Sequence, residues 1–258
     1  MTAAIQLKNL SFAYPNKRVL DHLNLQIQSG EIFGLVGPNG AGKTTLLNLI
    51  QGILSSHNHA ITVLDSQPGS TIVKEKVATM FQDDLQINNV KVNEFIKLFA
   101  AQATHPKNPE TVIKELGLSD IQNQLMNKLS GGQRRKVSFA SAIVSNPQLL
   151  FLDEPTVGMD AETRQNFWRY IEKLRQQNVT IVITSHYLEE IQKVADRIAI
   201  LQDGQFRYVG TWQTLQSHHD NGQFNFNTQL ERSLFTHLPA VESATQTDAN
   251  MTLISNDT

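Results

Sequence analysis

Positions 37–44 read GPNGAGKT, a spacing of the form G-x4-G-K-[ST] that can wrap an anion. Gly37, Gly40 and Gly42 let backbone N–H groups converge on phosphate oxygens, and the helical pattern TTLLNLI that follows offers its positive end. Lys43 adds a point charge for the β and γ oxygens of a nucleotide, and Thr44 a hydroxyl for Mg2+. Pro38, Asn39, Ala41 and Thr45 complete the loop. A glycine-rich turn that binds nothing is the competing reading, and it leaves Lys43 and Thr44 unexplained. A second string, LLFLDEP at 149–155, ends an apolar run on two carboxylates. Asp153 can hold Mg2+ directly or through a water. Glu154 is expected on the opposite side of an extended backbone, because Pro155 disfavours the α conformation before it. That division gives Asp153 the metal and Glu154 the work of a base toward a hydrolytic water. An acidic pair that merely caps the next turn is the alternative.

A third string, LSGGQ at 129–133, precedes the helical pattern RRKVSFASAIVS. Ser130 is a good N-cap, and Gly131 and Gly132 permit close backbone approach, so the helix start can receive an anion. A plain capped helix explains Ser130 but not the paired glycines between Leu129 and Gln133. Arg134, Arg135 and Lys136 read as a solvated face of that helix. His57, His59, His218 and His219 sit in polar stretches without carboxylate or cysteine company, which argues against metal binding.

These residues need a scaffold that brings them together. The first thirty or so residues alternate (IQLKNLSFAY, LNLQIQ) and predict a two- or three-stranded antiparallel opening. Short apolar runs then recur: IFGLV (32–36), VATMF (77–81), LLFL (149–152) and TIVITS (180–185). Helical stretches such as TTLLNLIQGIL, AETRQNFWRYIEKLRQQ and YLEEIQKVAD lie between them. Buried runs alternating with amphipathic helices predict an α/β fold with a doubly wound parallel sheet. Gly37, Gln82, Asp153–Glu154 and His186 each follow one run, and ligands of such sheets bind at the carboxyl ends of the strands. Residues 86–128 carry short helical patterns (VNEFIKLFAAQA, PETVIKELG, SDIQNQLM), so an inserted helical subdomain is expected over about 86–145. After TWQTLQS, the segments FNFNT, LERSLFTHL and MTLIS predict a small β-α-β extension over 218–258, leaving 1–217 as the main domain.

Composition narrows the classes. The 258 residues are 40% hydrophobic and 18% charged, which is a globular composition with room for a large core. A net charge of −2 gives no bulk attraction to nucleic acid or anionic lipid. Absence of cysteine excludes disulfides, thiolate metal sites and cysteine nucleophiles, and fits a reducing compartment. Neither a secretory leader nor an apolar run of the ~20 residues a spanning helix needs is present, so any membrane role is expected through a partner.

LSGGQ, its helix, and LLFLDEP in that order behind GPNGAGKT resemble the ATP-binding cassette (ABC) ATPases over about residues 1–215. The resemblance implies a P-loop NTPase domain that hydrolyses ATP with Mg2+. It further implies a homodimer in which Leu129–Gln133 of one copy cover the nucleotide held by the other. On the same resemblance Tyr14 matches the aromatic that stacks on adenine. Gln82 matches the loop glutamine at the Mg2+ that contacts the membrane subunit, Asp160 in VGMD the D-loop aspartate, and His186 the switch histidine on the γ-phosphate. VGMD stands where SGLD is more usual, ITVLDS departs from the usual glycine-rich hairpin, and QLMNK replaces the acidic loop of fused exporters. The last of these fits a stand-alone ATPase subunit, and EPTVGMDAETRQNFW with the short C-terminal extension resembles bacterial multidrug-efflux ATPase subunits. They imply a cytoplasmic protein peripheral at the inner face of the cell membrane, powering export by a separate transmembrane permease, without direct nucleic-acid contact. The alternative is a soluble ABC ATPase acting on nucleic acid or ribosomes, against which the lack of coiled-coil, zinc or second-cassette insertions counts.

Overall fold

Successive residues of a strand face opposite sides, and in the central sheet both sides are apolar. Along β6 (Leu149–Asp153), Leu149 and Phe151 enter one buried cluster while Leu150 and Leu152 enter another. Val182 of β7 (Thr180–Thr184) faces the first cluster, and its neighbours Ile181 and Ile183 face the second. This is why these runs read as continuously hydrophobic. The computed structural model describes residues 2–55, 59–80, 87–185, 188–217, 223–227, 241–247 and 250–255.

With β3 (Ile32–Val36), β5 (Val77–Met80), β8 (Arg197–Gln202) and β9 (Gln205–Gly210), these strands make one six-stranded sheet in the order β5-β6-β7-β3-β8-β9. The first five run parallel, as expected for a doubly wound sheet. β8 and β9 extend the sheet beyond the four runs expected from the sequence, and β9 closes the edge antiparallel to β8. A separate antiparallel sheet, order β2-β1-β4, comes from β1 (Ala3–Tyr14), β2 (Lys17–Gln28) and β4 (Ile61–Val63). Its inner face (Ile5, Leu7, Leu10, Leu20, Leu23, Leu25, Ile27) packs with α1 (Lys43–Ile50) on one side of the central sheet. The register shifts between Leu7 and Leu10, where Asn9 has φ +51°. The shift changes the inward parity from Ile5 and Leu7 to Leu10 and Phe12, while Tyr14 at the strand's end stays exposed.

The other side is covered by helices. α3 (Val92–Gln102), α4 (Pro109–Glu115) and α5 (Gly131–Val144) join α6 (Ala161–Gln176) in one cluster against Leu150, Leu152, Ile181 and Ile183. The expected helix SDIQNQLM is only two 3-10 turns, 119–121 and 126–128. Its backbone bonds across instead: the Val92 and Asn93 N–H groups donate to the Gln124 and Gln122 carbonyls, and Met126 N–H to the Val90 carbonyl. Between β4 and β5 lies α2 (Thr71–Lys76), and α7 (Leu188–Val194) and α8 (Trp212–Ser217) follow β7 and β9.

The C-terminal segment forms a third sheet, order β10-β12-β11, from β10 (Gln223–Asn227), β11 (Val241–Thr247) and β12 (Asn250–Ser255). β11 was not expected, and the helix expected over LERSLFTHL lies outside the described residues. Ala244 and Met251 pack with Val36, Ile191, Ile198 and Leu215 of the main body.

Candidate functional site

β7 lies between β6 and β3, with Thr184 paired to Asp153 on one side and Leu35 on the other. Two strand spacings, about 10 Å, therefore separate the carboxylates after β6 from the loop after β3. A cavity of about 350 Å³ opens over this edge, lined by Tyr14, Lys17, Val19, Asn39, Gly40, Gly42, Lys43, Thr44, Thr45, Asp153 and Glu154. The structure thus brings together the phosphate-type loop, the acidic pair and Tyr14.

The loop itself is shaped for an anion. Gly40 and Gly42 have φ of +79° and +107°, and a Cβ on Gly37 would stand 2.2 Å from the Leu201 carbonyl oxygen. Gly42 caps α1 without any side-chain hydrogen bond, and no acidic residue occupies the helix's first turn, so its positive end is open. The Lys43 ammonium folds back to donate to the Gly37 and Pro38 carbonyls at 2.5 and 3.1 Å. Burial pushes its pKa down from the ordinary lysine value, and the charges of Glu154 and Asp153 push it back up. A bound polyphosphate is the ligand that this half-desolvated cation fits. Tyr14 is 43% exposed, its ring held edge-on by Phe12 at 5.1 Å between centroids, which leaves a face for stacking.

Glu154 differs from the expected extended residue. Its φ is +49° and it is buried. Proline following it opposes the right-handed α region, and the left-handed conformation taken instead costs roughly 1–3 kcal/mol unless the surroundings enforce it. They do so from both sides. Its N–H donates to the Thr184 carbonyl at 3.1 Å and hydroxyl at 3.2 Å. Its carbonyl accepts from Arg135. The Thr184 hydroxyl in turn donates to Asp153 Oδ1, so one buried threonine orients both acidic residues.

Arg135 is the clearest correction. Read as part of a solvated face, it is buried, its guanidinium donating to the carbonyls of Asp153, Glu154 and Pro155. Arg134 also turns back, donating to the Leu129 carbonyl at 3.2 Å. Among the cavity's residues Lys17 and Val19 were missed, as was Thr184 beneath it. Lys17 opens β2 directly after the Pro15–Asn16 turn. Thr184 ends β7 directly after the apolar Ile181–Ile183, and that position was the signal available.

LSGGQ does not reach this cavity within the chain. Leu129 is buried; Ser130 caps α5, its hydroxyl accepting from the Gln133 N–H at 3.2 Å while Gln133 Oε1 accepts from the Ser130 N–H at 2.9 Å. A Cβ on Gly131 would meet nothing within 4 Å, and one on Gly132 only the Gly158 carbonyl oxygen at 3.2 Å. Asp160 caps α6 by accepting from the Thr163 N–H at 2.7 Å; that bond first, then the Thr163 hydroxyl, hold its carboxyl below the ordinary value. Gln82 and His186, with His57, His218 and His219, lie outside the described residues. His59 shares a 2.8 Å hydrogen bond with Gln67. Among the described residues no cluster of three or more metal-ligating side chains occurs, and no helix is long and apolar enough to cross a membrane.

Comparison with known proteins agrees with this geometry. A family pattern described as ABC transporter matches residues 20–157. The chain is 35% identical over 206 residues to the SkfA peptide export ATP-binding protein SkfE of Bacillus subtilis (strain 168), covering 78% of this chain and 86% of that protein. It is 32% identical over 229 residues to ABC transporter A family member 7 of Dictyostelium discoideum, covering 86% of this chain but only 27% of that longer protein. A solved ATP-binding subunit of an ABC transporter superposes with a TM-score of 0.78 at 22% identity, over 84% of this chain and 93% of that one.

Proposed function

The chain belongs to the ABC transporter family of ATPases, and on that premise we propose that it binds and hydrolyses MgATP as a homodimer to power export by a separate transmembrane permease. The observation that carries this reading is the single cavity holding the phosphate loop, Asp153, Glu154 and Tyr14. Tyr14 stacks on adenine, and the backbone of Gly37–Thr45 with Lys43 holds the phosphates. Thr44, Asp153 and Gln82 would hold Mg2+, which when bound would supply positive charge against the phosphate oxygens. Glu154 takes the proton of the attacking water, and His186 contacts the γ-phosphate.

The second half of each site comes from the other copy. Leu129–Gln133 present a capped helix start whose Gly131 is open to outside approach, and Asp160 belongs to the same interface. The names of relatives such as SkfE, a peptide export protein, support export as the direction. The main domain covers 1–217, with the helical subdomain over about 86–145 facing the permease and 218–258 as an appended unit. The chain then sits at the cytoplasmic face of the membrane and touches the bilayer only through its partner.

Mixing two dead variants tests the shared site. Lys43→Ala removes the phosphate cation and Ser130→Arg blocks the covering helix, yet a heterodimer of the two retains one intact composite site. Phosphate release by the mixture should exceed that of either variant alone. A mixture no more active than its components refutes the composite arrangement. Co-purification of a membrane-spanning partner with the tagged chain tests the transport role.

A further inference from the structure

We propose that Arg135 is a positioning residue that holds Glu154 in its working conformation, an inference resting on the reading of Glu154 as the base. Arg135 is 4% exposed and sits on α5, one helical turn past Gly131. Its Nη2 donates to the Asp153 carbonyl at 2.6 Å and to the Glu154 carbonyl at 2.5 Å, and its Nε to the Pro155 carbonyl at 3.3 Å.

Three consecutive carbonyls aimed at one point repel one another unless a cation gathers them. The turn that gathers them also puts Glu154 at φ +49°, a conformation rarely adopted by residues with a side chain. A guanidinium suits the task because its donors are fixed in a planar fork, whereas an ammonium is a compact point charge that cannot span three acceptors in one geometry. Thr184 holds the N–H side of Glu154 and Arg135 the carbonyl side. With only one side held, the loop can relax toward commoner dihedrals and carry the carboxylate away from the water it must deprotonate. A displacement near 1 Å is enough to slow a reaction by about 10²-fold.

The experiment compares Arg135→Lys and Arg135→Gln in the wild-type and Glu154→Gln backgrounds. It measures kcat for phosphate release, the Kd for a fluorescent ATP analogue, and the melting temperature. Arg135→Lys keeps a charge in the buried pocket and should lower kcat by about 10–10²-fold, with the Kd changed less than about twofold. In the Glu154→Gln background the same change should lower residual turnover less than about twofold, since residues acting as a unit are not additive. Wild-type kcat in Arg135→Lys overturns the proposal, as does an equal loss in both backgrounds or a loss confined to Kd. So does an Arg135→Lys chain that no longer folds, which would make the residue structural. Failure of the underlying reading looks different: Glu154→Gln itself then turns over at the wild-type rate, whatever Arg135 does.

Discussion

Replacing Gly131 by alanine separates what LSGGQ does inside the chain from what it does outside it. A methyl group at this position meets no atom within 4 Å, and the residue opens α5 without a positive φ. Within the chain the substitution therefore costs nothing in packing, and loss of glycine's freedom in the unfolded state should stabilise by up to about 1 kcal/mol. For a domain of this size that raises the melting temperature by about 0–4 °C. Across a composite site the same methyl projects about 1.5 Å from Cα into the space where the helix start must reach the other copy's phosphates. A misplacement on that scale predicts a loss of about 10²-fold in kcat. Calorimetry or circular dichroism gives the first number and steady-state phosphate release at saturating MgATP the second. Gly37→Ala is the contrast, because its Cβ would stand 2.2 Å from the Leu201 carbonyl oxygen and must move backbone, so its melting temperature should fall. A Gly131→Ala protein that hydrolyses ATP within twofold of wild type refutes the idea that this face is covered during turnover. A melting temperature lowered by several degrees refutes the in-chain half of the reasoning.

Glu154→Gln should lower kcat by ~10²–10⁴-fold, the range for losing a general base, and leave folding intact because Arg135 and Thr184 grip its backbone; single-turnover phosphate release within threefold of wild type removes the base. Thr184→Val keeps the shape but deletes the hydroxyl that donates to Asp153 and accepts from Glu154. Half-maximal Mg2+ in ATPase titrations should rise ~10–100-fold, Thr184→Ser should restore it, and an unchanged Mg2+ curve counts against Asp153 as a ligand. Glu115 is held below its ordinary value of 4.5 chiefly by the Lys173 hydrogen bond and also by the Tyr170 hydroxyl. A depressed folded pKa contributes stability that is present above the unfolded value and lost as pH falls through the folded one. Glu115→Gln should thus flatten the fall in melting temperature as pH drops below the ordinary value of 4.5, and an unaltered slope contradicts the assignment.

The parallel strands were legible because their runs are apolar on both faces, and each ends where its chemistry begins: Val36 before Gly37, Leu152 before Asp153. β8 and β9 were harder to read. β8 offers only the short apolar run Ile198–Leu201 between Arg197 and Gln202, with no chemistry-bearing residue after it, and β9 alternates only loosely, as an edge strand with one partner does. The segment SDIQNQLM has helical composition, yet its partners are the backbone groups of residues 90–93. Local propensity cannot register a bond made thirty residues away. Thr184 falls partly under the same limit: its polar place at the end of an apolar run was visible, but its meeting with Asp153 is a matter of sheet register that neither run records.

Arg135 was misread for another reason, and here the signal was present. Three consecutive basic residues look like a solvated face, but successive helical positions point about 100° apart and cannot all share one direction. Arg135 stands four, seven and eight residues before Phe139, Ala142 and Ile143, which are all buried, and so lies on their stripe. A permanently charged side chain on an apolar stripe must find concentrated acceptors or destabilise the fold. The nearest unspent acceptors in a β-α architecture are the carbonyls where a strand has ended and no helix has begun. LLFLDEP ends β6 in nearly that state: Pro155 has no N–H to donate, and the turn's own bond, Val157 N–H to the Glu154 carbonyl, is long at 3.4 Å. The helical period of α5 and the proline after Glu154 together therefore point the guanidinium at the loop that carries the base.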